Sequence, residues 1–335
     1  SSEITAGAII SGSYFGDKMS PLSDTTNLAP AVAGTDLFTH IRHMIWTTGP
    51  SLLIALLLFL IIGFRGTASG EADGFAIIQD TMLDTFKISV ISFIPLLVVF
   101  MLAFKKMPAF PTILIGALLG GIFAVILQPQ IITSFVNRPE LSHGLTMISG
   151  VWTALHSGFS LNSGVPVVDD LLTRGGMVSM LNTIWLVICA LTYGAVLETT
   201  GLLNKVVTSL LAFSKSTSSL IVTTIGTCIG VNIITADQYI SIVLPGRMYR
   251  TEFARRNLAP KNLSRTLEDA GTITSPLVPW NTCGAYMSAS LGVATFAYLP
   301  FCFFNLANPI IALIYGLFNF KIEKIDDPLL ASSDN

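Results

Sequence analysis

The feature that most limits how this chain folds is a run of 51 residues, Ala270–Phe320, without a single acidic, basic or histidine side chain. A helix needs roughly 20 apolar residues to cross the hydrocarbon core of a bilayer, so this run is long enough for more than one crossing. Pro276, Pro279 and Pro300 divide it, because proline interrupts helical hydrogen bonding. The run therefore predicts a membrane segment built from broken helices.

The composition of the whole chain also indicates a membrane protein. Of 335 residues, 52% are hydrophobic and only 11% are charged, whereas soluble domains carry about 25% charged residues. The net charge of −2 provides no basic surface, so nucleic acid is excluded as a partner. The four cysteines and four histidines lack the spacing of a zinc, iron–sulfur or disulfide site. We therefore expect no cofactor.

Further apolar stretches predict about six full crossings plus re-entrant pieces. The stretches are continuously apolar and do not alternate between apolar and polar residues, which favours helices over the strands of an outer-membrane barrel. The expected fold is thus an all-α polytopic membrane protein. The predicted spans are Met44–Phe64, Ile88–Phe104, Phe110–Leu127, Gly176–Leu197, Ser218–Gly246 and Ala270–Phe320. Two amphipathic stretches, Glu71–Lys87 and Leu141–Arg174, lie between the spans. The second is an interfacial helix or a re-entrant element, with an ordinary extramembrane loop as the alternative, and it is assigned no function.

Basic residues predict which loops are cytoplasmic. The loop after Pro245 contains six Lys or Arg residues against three acids, an excess that marks the cytoplasmic side. The turn Lys105–Lys106 has the same character. The tail is ambiguous, because Asp326 and Asp327 follow two lysines there.

Two segments have more polar residues than a bilayer tolerates without a purpose. Each contains Ser-Pro-Leu, at Ser20–Leu22 and at Ser275–Leu277, with an acid upstream and an asparagine downstream. When the two motifs are superimposed, Asn27 falls within one position of Asn281. Internal similarity of this kind is typical of a duplicated transporter fold. The alternative is that both segments are extramembrane loops with ordinary turn chemistry.

The chemistry of these segments suits a small cation. Proline frees nearby backbone carbonyls, and broken helices at the bilayer midplane point their ends at an ion. Non-helical backbone at that depth is tolerated where it lines a cavity. The cation ligands that we predict in the two segments are Asp24, Ser20, Ser23, Thr25, Asn27, Ser275, Asn281 and Thr282.

A third candidate interruption is Gly230–Tyr239. Asp237 is the one acid between Lys215 and Arg247, and an unpaired carboxylate inside a membrane is costly and usually functional. We therefore add Asn232 and Asp237 to the predicted ligands. The alternative is that Asp237 only caps the helix that follows.

Three more carboxylates, Asp17, Glu198 and Asp269, are candidates for coupling to protons. Glu198 lies where a predicted span ends, and a solvated helix terminus is the alternative for it. Asp17 and Lys18 alternatively pair with each other.

These segments resemble the NhaC-type Na⁺/H⁺ antiporter family. The resemblance is carried by Ser11–Pro30 (SGSYFGDKMSPLSDTTNLAP) and Glu268–Ala285 (EDAGTITSPLVPWNTCGA), and it runs the length of the chain. It implies a multi-pass secondary antiporter of the bacterial inner membrane, with inverted repeats and re-entrant hairpins. Members usually carry several helices before the first motif. Because the chain starts at Ser1 without Met, we expect that an N-terminal part is missing.

The resemblance also divides the chain. Residues 1–64 hold the end of the first repeat, with the SPLSDTTN hairpin and the helix after it. Residues 65–87 form an amphipathic linker, and residues 88–320 form the second repeat with the SPLVPWNT hairpin. Residues 321–335 are a tail.

The predicted function is exchange of Na⁺ for H⁺ by competition for buried carboxylates. Asp24 in a dry site would hold a proton until Na⁺ displaces it. The family also includes malate/lactate antiporters, so antiport of an organic anion coupled to Na⁺ and H⁺ is the alternative, with Lys18 as its one central cation. An intramembrane enzyme is disfavoured, since the chain has no P-loop, HExxH or nucleophile–base motif.

The expected partners are membrane lipid, Na⁺ and H⁺, with Li⁺ and small carboxylates as further candidates. Analogy with other transporters alone suggests a homodimer.

Overall fold

The computed structural model describes residues 1–21, 23–65, 72–105, 107–211 and 214–325. These residues are mainly helical, with isolated β-bridges and no strand among them, so the expected all-α fold is confirmed. Five residues named above lie outside the described part: Leu22 of the first Ser-Pro-Leu motif, Glu71 of the first amphipathic stretch, Lys106 of the basic turn, and Asp326 and Asp327 of the tail.

The described α-helices are, in chain order, α1 (Ser2–Met19), α2 (Asp24–Ala33), α3 (Leu37–Arg65), α4 (Ala72–Thr85), α5 (Ile94–Phe104), α6 (Ala109–Leu127), α7 (Pro129–Val136), α8 (His143–Ser157), α9 (Pro166–Leu172), α10 (Leu181–Thr199), α11 (Leu202–Leu211), α12 (Thr217–Thr235), α13 (Gln238–Arg255), α14 (Pro260–Leu267), α15 (Thr282–Leu291), α16 (Thr295–Tyr298) and α17 (Phe303–Leu317). A π-helical turn spans Glu268–Thr272, and 3₁₀ turns span Val90–Phe93, Met177–Met180, Ser275–Leu277 and Leu299–Phe301.

The chain forms two compact units. The larger unit comprises Ser1–Arg65 and Thr183–Asn335, and it contains both Ser-Pro-Leu segments and the third interruption. The smaller unit, Gly66–Asn182, contains α4–α9. The predicted repeat boundaries are a different kind of division from these units, and they stay a prediction.

By length and composition, four helical spans are able to cross a membrane: Leu37–Phe64, Phe110–Leu127, Met177–Thr199 and Thr217–Thr235. Two bent helix pairs pass the same test only as pairs: Ile77–Thr85 with Val90–Phe104, bent by 93°, and Thr295–Phe301 with Phe303–Leu317, bent by 62°. Counting each pair as one span gives six among the described residues, which agrees with the predicted number.

Two predicted spans differ in detail from the structure. The crossing expected over Ile88–Phe104 begins as a 3₁₀ turn and becomes α-helical only at Ile94. A proline at the second position of this helix accounts for that late start, because proline is favoured in the first turn of an α-helix and disfavoured in its interior. The run Ser218–Gly246 is broken between α12 and α13, as its lone acid indicated.

The larger unit has two clusters of buried apolar side chains. One includes Leu220 and Leu263, and the other includes Ile10 and Phe304. The segment around the π-helical turn contributes to both, with Ala270 in the first cluster and Ile273 in the second. This segment is therefore packed on two sides, and its polar groups are kept from solvent.

Candidate functional site

The first Ser-Pro-Leu segment is a break between α1 and α2. Ser20 ends α1 in an extended conformation, and the Ser23 hydroxyl caps α2 by accepting from the Thr26 amide at 3.4 Å. The Thr26 hydroxyl donates back to the carbonyls of Asp17 and Lys18, each at 3.1 Å. These bonds replace the helical ones that the intervening proline prevents.

In the second segment, the helix is interrupted in successive steps along the chain. The π-helical turn Glu268–Thr272 is followed by the 3₁₀ turn Ser275–Leu277, and Asn281 then caps α15 by accepting from the Cys283 amide at 3.0 Å. Every residue from Glu268 to Pro276 is buried. A π-helical turn is rare and is frequently found at functional sites.

A third broken helix is formed by α12 and α13. Ala236 ends α12 with φ 58°, a left-handed conformation that is uncommon for alanine. Asp237 caps α13 by accepting from the Ile240 amide at 2.8 Å, and it is buried. The capping alternative for Asp237 is therefore present in the structure, and its role as a cation ligand stays a prediction.

The second and third breaks contact each other directly. The Asn281 side-chain amide donates to the Asn232 side-chain oxygen at 3.1 Å, and Asn232 donates in turn to the Thr274 hydroxyl at 3.1 Å. The Thr282 amide donates to the carbonyl of Ala236 at 2.9 Å. Two of the three predicted asparagine ligands, Asn232 and Asn281, thus lie together.

The first and second breaks also meet. The Tyr14 hydroxyl of α1 lies 3.2 Å from the Ser275 hydroxyl, which donates to the Gln238 side chain of α13 at 2.6 Å. Ser275 therefore stands where all three broken helices converge. A second link is the ion pair between Lys18 and Asp269.

Lys18 is completely buried. Its ammonium pairs with Asp269 and donates to the Asn308 side-chain oxygen at 2.7 Å. Asp269 also accepts from the Thr47 hydroxyl at 3.0 Å. The alternative in which Asp17 pairs with Lys18 is therefore wrong, because the side chain of Lys18 turns to the second segment instead.

Several of the remaining predicted residues lie nearer the surface. Asp24 and Asn27 are exposed, so the dry environment that we expected for Asp24 is wrong. Asp24 is the first residue of α2, a position that favours an acid electrostatically without burying it. Thr25 is buried and donates to the half-buried Asp17 carboxylate at 3.3 Å. Other predicted residues are half-buried or exposed: Ser20 and Thr282 half-buried, Glu198 exposed.

The sequence analysis missed several side chains that complete this arrangement: Tyr14, Thr47, Gln238, Glu268 and Asn308. A signal did exist for Asn308, since it is one of two amides in the largely apolar helix α17 and it lies beside Pro309. Thr47 and Tyr14 carry no such signal, because both residue types are common in membrane helices.

The oxygen atoms of the site are hydroxyl, amide, carbonyl and carboxylate groups, which are ligands for hard cations. Within the described ranges, no three His, Cys, Asp or Glu side chains are close enough to hold a metal ion. A site built mainly from imidazole or thiolate is therefore not found in this part of the chain.

A profile of the Na⁺/H⁺ antiporter family matches residues 12–320. The chain belongs to this family. It is 41% identical over 322 residues to the Na⁺/H⁺ antiporter NhaC of Alkalihalophilus pseudofirmus, covering 96% of this chain and 66% of the relative. No solved structure matches it.

Two proteins of Bacillus subtilis are also similar. The chain is 34% identical over 315 residues to its Na⁺/H⁺ antiporter NhaC, covering 94% of this chain and 66% of that protein. It is 35% identical over 314 residues to the malate-2H⁺/Na⁺-lactate antiporter, covering 93% and 64%. The chain thus spans about two thirds of the length of each relative.

Membership of this family confirms the resemblance seen in the two motifs. Together with the apolar helices, it also confirms a multi-pass protein of the bacterial inner membrane. The relatives are antiporters by name, and they are therefore transporters rather than enzymes.

Proposed function

We propose that this chain forms the ion-exchanging part of a secondary antiporter that moves Na⁺ against H⁺. The observation that carries the proposal is the convergence of three broken helices at Ser275, where buried hydroxyl, amide and carbonyl groups are concentrated. Irregular backbone of this kind is tolerated in a membrane where it is buried in protein or lines an ion path.

The distribution of carboxylates favours a cation as the substrate. Asp17, Asp24 and Asp237 come from the first and third breaks, and all three lie within electrostatic range of Tyr239. A group of acids around one tyrosine creates a negative potential, which attracts a cation and repels an organic anion. We therefore place the path of Na⁺ beside these three acids.

Exchange follows from competition between Na⁺ and protons for buried carboxyl groups. A carboxyl group that is partly removed from water favours its neutral, protonated form, whereas a bound cation favours the ionised form. Na⁺ entry therefore expels a proton, and proton binding expels Na⁺. Movement of the broken helices would then expose the site to one side of the membrane at a time.

The residues that we propose around the ion are the predicted ligands Asp24, Ser20, Ser23, Thr25, Asn27, Asn232, Asp237, Ser275, Asn281 and Thr282. The proposed coupling residues are Asp17 and Glu198, while the third predicted candidate, Asp269, is paired with Lys18 and keeps its charge. We propose that both ions are substrates, with no resident cofactor.

The second candidate function is antiport of an organic anion, as the name of the malate/lactate relative suggests. A carboxylate substrate is bound by a cationic side chain or by a helix N-terminus, and the central cation, Lys18, is already bound by Asp269 and Asn308. Arg265 donates to the Lys321 carbonyl at 3.0 Å and lies 4.0 Å from Asp269. The engagement of both buried cations supports Na⁺ over an anion.

The test is a proton-flux measurement on the full-length protein in lipid vesicles that contain a pH-sensitive dye. Na⁺, Li⁺, K⁺, malate and lactate are added in turn, and vesicles without protein serve as the control. We expect proton movement with Na⁺ alone. Movement that requires malate or lactate would establish the second candidate, and no movement with any of them would contradict both.

A further inference from the structure

The π-helical turn Glu268–Thr272 has a concentration of buried polar atoms without hydrogen-bond partners. Nine such side-chain atoms occur among the described residues, and five lie between Arg265 and Thr272. They are Arg265 Nε, both carboxyl oxygens of Glu268, Asp269 Oδ2 and Thr272 Oγ1. Because buried polar groups in native proteins are nearly always hydrogen-bonded, this cluster requires an explanation.

Glu268 is the extreme case in the cluster. Its side chain has no solvent exposure, and although the Thr272 hydroxyl is near enough to act on it, neither carboxyl oxygen accepts a hydrogen bond of good geometry. Lys18 is close enough to act on it electrostatically, but the ammonium is already engaged by Asp269 and Asn308. An ionised carboxylate that is buried without a donor is strongly disfavoured, so this environment suits a carboxylic acid that carries a proton.

The adjacent carboxylate is in the opposite situation. Asp269 accepts from Lys18 and from Thr47, so its negative charge is compensated. The environments of these two neighbouring acids therefore favour opposite protonation states. In such pairs, one acid usually exchanges its proton while the other stays ionised.

We propose that Glu268 binds and releases the proton that is exchanged for Na⁺, and that the Lys18–Asp269 pair is a fixed charge pair beside it. This inference rests on the proposed Na⁺/H⁺ exchange. The step is a single dissociation: the carboxylic acid of Glu268 loses a proton when Na⁺ binds and regains it when Na⁺ leaves.

Hydrogen bonds connect the π-helical turn that contains Glu268 to the ion-binding region. Asn232 donates to the carbonyl of Gly271 inside the same π-helical turn at 2.5 Å, and Asn281 donates to Asn232. A cation that draws on the oxygens of these asparagines would therefore change the geometry of the turn. Cation binding and proton release are coupled through this contact.

Several groups face the turn from the elements packed on it. The charged ones are Lys18 and Asp17 of α1, Arg265 of α14 and Asp269 of the turn itself. His40 of α3 bonds Ser264 one turn earlier, at 2.8 Å. Uncharged groups come from α12, α13 and α17: Asn232, Ser241, Asn305 and Asn308.

The test compares Glu268→Gln with Glu252→Gln in vesicles containing the full-length protein. Glu252 pairs with Arg255 and Arg256 on α13, so the control makes the same substitution of a carboxyl by an amide group outside the turn. Two fluxes are measured: Na⁺-driven proton movement, and exchange of ²²Na⁺ for Na⁺ at equal pH on both sides. For Glu268→Gln, we expect the proton flux to fall by at least about tenfold, with Na⁺ for Na⁺ exchange retained. The control should keep both.

A normal proton flux in Glu268→Gln would overturn the proposal. Loss of both fluxes in a folded variant would also overturn it, because Glu268 would then be needed for Na⁺ itself. If Glu268→Gln does not elute as a folded species, Glu268→Asp replaces it and must shift the pH at which exchange is half-maximal; an unchanged midpoint contradicts the proposal. Absence of Na⁺-driven proton movement in the unmodified protein would instead contradict the proposed function.

Discussion

The two Ser-Pro-Leu segments are similar in sequence, but their surroundings in the structure differ. In the first, Asp24 and Asn27 are exposed and Asp17 is half-buried. In the second, Ser275 and Asn281 have no exposure, and the residues from Glu268 to Pro276 are all buried. In both, a side-chain cap restarts the helix after the proline, Ser23 for α2 and Asn281 for α15.

The difference teaches that one motif serves two physical roles. A break that is open to water lets an ion lose its hydration shell gradually, while a break packed inside the protein holds charges in fixed positions. We expect substitutions in the second segment to lower stability more than comparable substitutions in the first. The predictions below test this contrast, from the largest expected effect on stability to the smallest.

Removing the acid of the buried ion pair should have the largest effect. Asp269→Ala leaves Lys18 buried without its counter-ion, and breaking a buried pair costs about 3–5 kcal/mol. We expect loss of the folded protein in detergent, measured by size-exclusion chromatography and the thermal midpoint. Asp17→Ala in the first segment should cost far less. The double variant Lys18→Met, Asp269→Leu should recover part of the loss. Equal stability of Asp269→Ala and the unmodified protein would remove the distinction between the segments.

The two helix caps should differ in the same direction. Asn281→Ala leaves two buried groups, the Asn232 side chain and the Cys283 amide, without their hydrogen-bond partner, at a cost of about 1–3 kcal/mol. Ser23→Ala removes one cap bond to Thr26, a loss of about 1 kcal/mol. Thermal midpoints of both variants, measured in the same detergent, check the ranking. If Ser23→Ala proved the more damaging, the first segment would be the structural one.

The exposed acid of the first segment should matter for transport and little for folding. Asp24→Asn should change stability by no more than about 0.5 kcal/mol, since the side chain is exposed, while Na⁺-dependent proton movement in vesicles is lost. Asp237→Asn is the companion variant: asparagine still caps α13, and the half-saturating Na⁺ concentration should rise. Normal exchange by Asp24→Asn would exclude Asp24 from the ion path.

The smallest effect on stability is expected in the tail, where Glu323 contacts the helix that precedes the second segment. The Lys261 side chain bonds Glu323 and lowers the pKa of that carboxyl below its ordinary value. A lowered pKa contributes stability above the unfolded-state value, about 4.3, and that contribution disappears as pH falls through the folded-state pKa. Glu323→Gln should therefore lower the thermal midpoint slightly at pH 7, with the difference vanishing in acid. A difference that persists in acid would show that the ion pair is not its cause.

Much of the helical architecture was predictable from local composition. The span Met44–Phe64 lies inside the observed Leu37–Phe64, and the lone Asp237 marked the break between α12 and α13. Twin Ser-Pro-Leu motifs indicated related breaks, because proline acts on its own helix whatever lies around it. Glu268, by contrast, has no sequence signal that separates it from Asp269, since their environments differ only through packing.

The sequence by itself determined that this chain is a helical membrane protein with interrupted helices, because the cost of burying charge and the hydrogen-bonding limits of proline act locally. The tertiary structure alone decided that Lys18 bonds Asp269, 251 positions away, that Tyr14 reaches Ser275, and that Asp24 faces outward. Such outcomes depend on which helix faces pack together, a choice made by the shapes of many side chains at once.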